Sequence, residues 1–145
     1  MTLRNLLQDE GFERVPLKKL LSGHYRLALS INGKPANLIL DTGASTSCIG
    51  FSRVERFGIL SEESNLKATG AGASELETRM ASNVKLQIAK LLKTTTDIVL
   101  FDLTHINGAL ESVGEEEVDG ILGADFLKSH RAVIDYGRNA LYLKK

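Results

Sequence analysis

A single cysteine, Cys48, stands in the 145 residues of this chain. No disulfide can close within it, which fits a reducing compartment. Net charge is missing too: 18 Lys and Arg balance 18 Asp and Glu, with a pI near 6.8. The two signs are interspersed, which excludes the basic footprint of a nucleic-acid binder and a polybasic membrane patch. No apolar run approaches the roughly 18 residues of a transmembrane helix. Met1 to Glu13 has no basic segment leading into an uninterrupted apolar one, so no signal peptide is visible and a cytoplasmic location is expected. His24, His105 and His130 lack metal-ligand spacing, and Cys48 cannot complete a set with them, so no metal is expected. Gly-x-Ser-x-Gly, the P-loop and the dinucleotide fingerprint are all absent, and no cofactor is expected.

What is there reads as one domain with a core of ordinary size. Leu3, Leu6 and Leu7 have helical spacing, so Thr2 to Glu10 predicts a short amphipathic helix closed by Gly11. A second such stripe, Leu17, Leu20 and Leu21, follows Pro16. Tyr25, Leu27, Leu29 and Ile31 alternate with Arg26, Ala28 and Ser30, the pattern of a strand with one buried face. Asn32-Gly33 is a hairpin turn signal, and the returning strand, Ala36 to Leu40, ends at Asp41. Phe51 to Phe57 predicts a helical turn ended by Gly58. Leu66 to Met80 reads as two β-like arms around a small-residue tip, Thr69 to Ser74. Val84, Leu86 and Ile88, then Thr95 to Phe101, predict further strands. Thr104 to Val118, with Glu115 to Glu117 at its end, reads as a solvated loop. Val118 to Leu127 predicts a strand that closes at a glycine and opens a short helix. Strands at Ala132 to Tyr136 and Ala140 to Leu143 follow.

The stretch with chemical content is Leu38 to Ser45. An apolar strand delivers one carboxylate, Asp41, into a turn of small residues. Thr42 offers a hydroxyl, Gly43 tolerates a positive φ, and Ala44 and Ser45 leave room beside the acid. A purely structural alternative is an Asx turn in which Asp41 caps its own loop. Asp119, Asp125 and Asp135 are competing carboxylates, of which Asp125 reads as a helix cap and Asp135 as a strand-end turn residue. Cys48, on the β-like run after the loop, reads as a small buried hydrophobe rather than a nucleophile.

Asp41-Thr42-Gly43-Ala44-Ser45 after an apolar strand resembles the catalytic loop of the retropepsin-like aspartic proteases. The later Ile121-Leu122-Gly123 resembles the hydrophobic-hydrophobic-Gly element that supports that loop. The resemblance runs from about Gly23 to Leu143. It implies a mainly β chain folded as a closed, orthogonal β-barrel with short helices, one lobe per chain. Residues 1–22 would form a helical N-terminal extension and residues 23–145 the protease domain. Gly70, Ala71 and Gly72 would form a flap over bound peptide. Viral members usually carry an acid directly after D-T-G-A and an Arg directly after the later Gly. Ser45 and Ala124 stand there instead, so both partners of that ion pair are missing together and no charge is stranded. This pattern looks more like the cellular and bacterial members.

Such chemistry needs two carboxylates, one ionised to activate water and one protonated to donate to the scissile carbonyl. With one D-T-G per chain, the implied enzyme is an aspartic endopeptidase active as a homodimer, with a peptide or protein as substrate. The rival readings are a non-catalytic peptide-binding or assembly module of the same fold, and a β-domain in which the turn is only structural.

Overall fold

Thr2 opens the chain's first helix, α1 (Leu3–Asp9), where its Oγ1 accepts from the Asn5 amide at 3.1 Å. That bond satisfies one of the free N–H groups at the helix start. In this computed structural model, which describes residues 1–68 and 76–145, α1 is followed by the strands β1 (Phe12–Pro16) and β2 (Lys18–Lys19). The expected second helix through Leu17, Leu20 and Leu21 is therefore corrected to extended chain. The Leu17 amide donates to the Asn139 carbonyl and the Leu20 amide to the His24 carbonyl, both at 2.8 Å. Leu17 and Leu20 are buried, in separate apolar clusters, whereas Leu21 is exposed. Their spacing imitates a helical stripe, but two different cores capture them.

β3 (Tyr25–Ile31) and β4 (Lys34–Leu40) form a hairpin with Leu27 opposite Leu38. Asn32 and Gly33 turn it with φ of 49° and 81°, the paired positive values that match the twist of the flanking strands. After the Asp41 loop come β5 (Cys48–Gly50), a 3-10 turn (Phe51–Arg53) and α2 (Val54–Phe57). β6 (Ser61–Ala68) and β7 (Leu76–Ile88) pair antiparallel, and β8 (Leu92–Phe101) returns along β7. The chain closes with α3 (Thr104–Ser112), β9 (Gly120–Leu122), α4 (Ala124–Ser129), β10 (Val133–Asp135) and β11 (Ala140–Lys144).

α3 overturns the solvated loop expected at its position. Ile106 and Leu110, one turn apart, pack it onto Leu20, Ile39 and Val118. Asn107, buried, bonds both backbone groups of Val118: its Oδ1 accepts from the amide at 2.8 Å and its Nδ2 donates to the carbonyl at 3.2 Å. Two apolar residues and one Asn made the stripe too thin to read.

The large sheet runs β2-β3-β4-β9-β5-β8-β7-β6, and β3 also pairs with β7. That extra pairing closes β3, β4, β9, β5, β8 and β7 into a six-stranded barrel. Leu27, Ile31, Leu38, Ile49, Leu86, Leu100 and Leu122 fill it. A second sheet, β1-β11-β10, lies outside the closed ring. The segment expected as a helical extension thus contributes β1, paired along its whole length with β11. Among the described residues no helix is long and apolar enough to cross a membrane.

Candidate active site

The Asp41 loop leaves the barrel where β4, β9 and β5 meet. β4 pairs parallel with β9, Leu40 opposite Leu122, and β9 pairs antiparallel with β5, Cys48 opposite Ile121. Leu38 and Ile39 are buried, and Asp41 emerges exposed one residue beyond Leu40. Its amide donates to the Leu122 carbonyl at 3.0 Å, and the Ala44 amide returns to the Asp41 carbonyl at 3.2 Å. Gly43 N–H donates to Asp41 Oδ1 at 2.9 Å. One carboxylate oxygen is therefore fixed by its own loop, and the exposed group offers the other outward.

Gly43 does not use a positive φ, contrary to the expectation. Its lack of a side chain serves proximity instead, since a Cβ there would stand 3.3 Å from Asp41 Oδ1. Thr42 and Ser45 are exposed, and Ala44 is half-buried. Ile121, Leu122 and Gly123 lie beside the loop, and the Ala124 amide donates to the Ala44 carbonyl at 2.7 Å. A Cβ on Gly123 would meet that carbonyl oxygen at 2.7 Å and the Thr46 carbonyl at 3.1 Å. The two loops approach this closely only because residue 123 has no side chain. Gly70, Ala71 and Gly72, expected as the flap tip, lie outside the described residues. The antiparallel arms that lead to them, β6 and β7, pair up to Ala68 opposite Leu76.

Sequence reasoning missed the brace behind the loop. Ser47 is buried; its Oγ donates to Asp125 Oδ1 at 2.6 Å and accepts from the Gly123 amide at 2.8 Å. The Ser47 amide donates to the same Asp125 oxygen at 2.9 Å, and the Phe126 amide does so at 2.7 Å. Asp125 therefore cross-links the Asp41 loop to the start of α4 rather than simply capping the helix. This contact ties the segment that carries Ser45 to the one that carries Ala124.

A second brace sits one strand away. Asp119 is buried, and its Oδ1 accepts from Arg53 Nε at 2.8 Å while Oδ2 accepts from the Asn37 amide at 2.8 Å. Arg53 also reaches Glu117 Oε1 at 3.0 Å. Burial opposes the Arg53 charge, but its bonds to Glu117 and Asp119 outweigh that and raise its pKa above the ordinary value. Removing Arg53 leaves the buried Asp119 carboxylate with the exposed Arg56, 3.7 Å away, as its remaining cation among the described residues. Arg53→Ala is expected to destabilise the fold by about 3 kcal/mol, read as a lower denaturant midpoint with an unchanged slope.

Cys48 is buried in an apolar cluster with Val99, Leu103 and Ile121, flanked by Ala44, Met80, Phe101 and Ile106. Burial pushes its thiol up to about 11, against a lowering backbone hydrogen bond at Ile121 and with help from the Asp125 and Asp41 charges. A thiol protonated at neutral pH is no nucleophile. His24 bonds Ser22 at 2.8 Å and His130 Nδ1 lies 3.0 Å from the Lys144 carbonyl.

A profile of the family described as aspartyl protease matches residues 27–126. The chain belongs to the aspartyl protease family. The match includes the Asp41 loop, both braces and the Ile121-Leu122-Gly123 strand. A Sinorhizobium relative, named only as an uncharacterized protein in the cobV 5′ region, is 25% identical over 124 residues, 86% of this chain. The chain spans about half the length of that relative, 49%. Three solved structures share the fold. EIAV protease in complex with the inhibitor HBY-793 has a TM-score of 0.56 at 23% identity, over 75% of this chain and 89% of that one. A retropepsin-like aspartic protease from Rickettsia conorii gives 0.53 at 18%, over 92% and 89%. The retroviral protease-like domain of Ddi1 from Leishmania major gives 0.55 at 18%, over 81% and 86%.

Proposed function

We propose that this chain is an aspartic endopeptidase that works as a homodimer, each copy supplying one Asp41. The observation that carries the reading is the exposed Asp41 carboxylate, tied by one oxygen to Gly43 N–H, at the mouth of a barrel of this family. Two such carboxylates brought together across a two-fold axis cannot both stay ionised, so the pair holds one proton and titrates as a unit. The ionised member draws a proton from a water as that water attacks the scissile carbonyl. The protonated member donates toward the carbonyl oxygen. Thr42 and Gly43 hold the two acids in register, and the Ile121-Leu122-Gly123 strand supports their loop. The substrate is an extended peptide, held by main-chain hydrogen bonds as an added strand.

The Gly43–Asp41 bond also suits the second reading, a peptide-binding or assembly module that does not turn over. Incubation with unstructured peptides from acidic to neutral pH, with products read by mass spectrometry, separates the two. Internal cleavage supports the enzyme; peptide binding without any cleavage supports the module.

A further inference from the structure

The peptide unit between Leu122 and Gly123 is held at both ends. Its carbonyl accepts from the Asp41 amide at 3.0 Å, and its N–H donates to Ser47 Oγ at 2.8 Å. The atoms of a trans peptide lie in one plane, with N–H and C=O on opposite sides of the chain. A tilt imposed on the N–H is therefore passed to the C=O. Ser47 is 4% exposed, and its hydroxyl has no freedom left to turn. The proton must go to Asp125 Oδ1, 2.6 Å away, because a carboxylate oxygen only accepts; a lone pair is then left for Gly123. Asp125 Oδ1 is fixed in turn by the Ser47 and Phe126 amides, at 2.9 and 2.7 Å. The contacts form one directed chain: Asp125 carboxylate, Ser47 hydroxyl, Gly123 N–H, Leu122 carbonyl, Asp41 amide.

We infer that Ser47 and Asp125 are positioning residues for Asp41, acting through the Leu122–Gly123 peptide without touching substrate. The inference rests on the endopeptidase reading above and names what holds its acid in place. Each bond in the chain polarises the next. A hydroxyl that donates to an anion is a better acceptor, and a peptide whose N–H is strongly held has a stronger acceptor at its carbonyl. The negative charge on Asp125 thus tightens the contact at the far end of the relay, the Asp41 amide. The Asp41 side chain is fixed separately, by Gly43 N–H at 2.9 Å. The relay sets where the residue stands, and the Gly43 contact sets how its carboxylate turns. Two acids that share a proton across a symmetry axis need both, since a misplacement of about 1 Å can cost on the order of 100-fold in rate. Asp41 is exposed, so core packing does not supply that precision.

Two readouts test it: peptide cleavage, at chain concentrations where sedimentation shows the dimer, and hydrogen exchange at the Asp41 amide. Ser47→Ala removes the middle of the relay. Its kcat should fall roughly 10- to 100-fold with KM within about twofold of the parent. Exchange at the Asp41 amide should speed up about tenfold or more. Ser47→Thr, which keeps an Oγ, should return both toward the parent. Asp125→Asn keeps an oxygen acceptor and removes the charge. It should show the same changes at smaller size, and it carries the test if Ser47→Ala does not fold. Ile88→Val, a buried change in β7 outside the relay, should leave both readouts as in the parent. Asp41 exchange that is unchanged in Ser47→Ala and Asp125→Asn overturns the relay, whatever the activity. Faster exchange with an unchanged kcat overturns the positioning role. A wild type that cleaves nothing overturns the endopeptidase reading and the positioning role with it, while Asp41 exchange still decides whether the relay exists.

Discussion

Asp41→Asn is expected to yield a folded protein whose peptide cleavage falls by roughly a thousandfold or more, the scale on which a positioned acid–base group acts. The substitution changes charge and almost nothing else. Asp41 is exposed, and the bond it accepts from Gly43 N–H at 2.9 Å can be accepted equally by an amide oxygen. Thermal stability should therefore stay within about 0.5 kcal/mol of the parent, as for ordinary surface changes. An amide can neither take a proton from water nor share one with a neighbouring carboxylate. In the proposed dimer each site draws an acid from both copies, so mixed dimers of parent and variant should be as inactive as the pure variant. Adding excess Asp41→Asn chain to the parent should then suppress activity beyond simple dilution, which a peptide-cleavage titration reads directly.

Gly120→Ala is expected to be the most damaging small substitution in the barrel. A Cβ there would collide with the Cys48 carbonyl oxygen, stand 2.6 Å from Leu38 Cδ2 and 3.2 Å from Ile49 Cα. Leu38 can shift its side chain, but the other two contacts are backbone of the paired strand β5 and cannot. β9 sits between β4 and β5, so displacing it moves the strand whose Leu122 carbonyl accepts from the Asp41 amide. A loss of about 3 kcal/mol follows from overpacking of this kind, a fall in Tm of roughly 10 °C for a chain of this size. Calorimetry and the cleavage assay should fail together here, whereas Asp41→Asn should separate them.

The barrel was legible where one physical demand wrote the sequence. Tyr25 to Ile31 alternates because one face of β3 is buried, and Asn32-Gly33 turns because only such residues hold two positive φ values in succession. Asp41-Thr42-Gly43 and Ile121-Leu122-Gly123 stood out because small residues and a lone acid interrupt apolar strands. Elements decided by contacts distant in sequence did not show. Leu17 and Leu20 have helical spacing, yet Asn139, more than a hundred residues away, holds the backbone of the first and His24 that of the second, and separate apolar clusters take their side chains. α3 hides in Thr104 to Ser112 because its holding contact, Asn107 on Val118, is polar and eleven residues long in reach. The Ser47–Asp125 and Arg53–Asp119 braces each join residues more than sixty apart, and no local pattern records such a partner. Asp119 and Asp125 were visible as carboxylates; what they hold was not.

The most direct measurement is specific activity against chain concentration, followed down through the range in which sedimentation shows the dimer dissociating. An assembled site predicts activity per chain that falls in proportion to the remaining dimer. Activity per chain that stays constant while the protein becomes monomeric would contradict it, because one copy would then hold a complete centre.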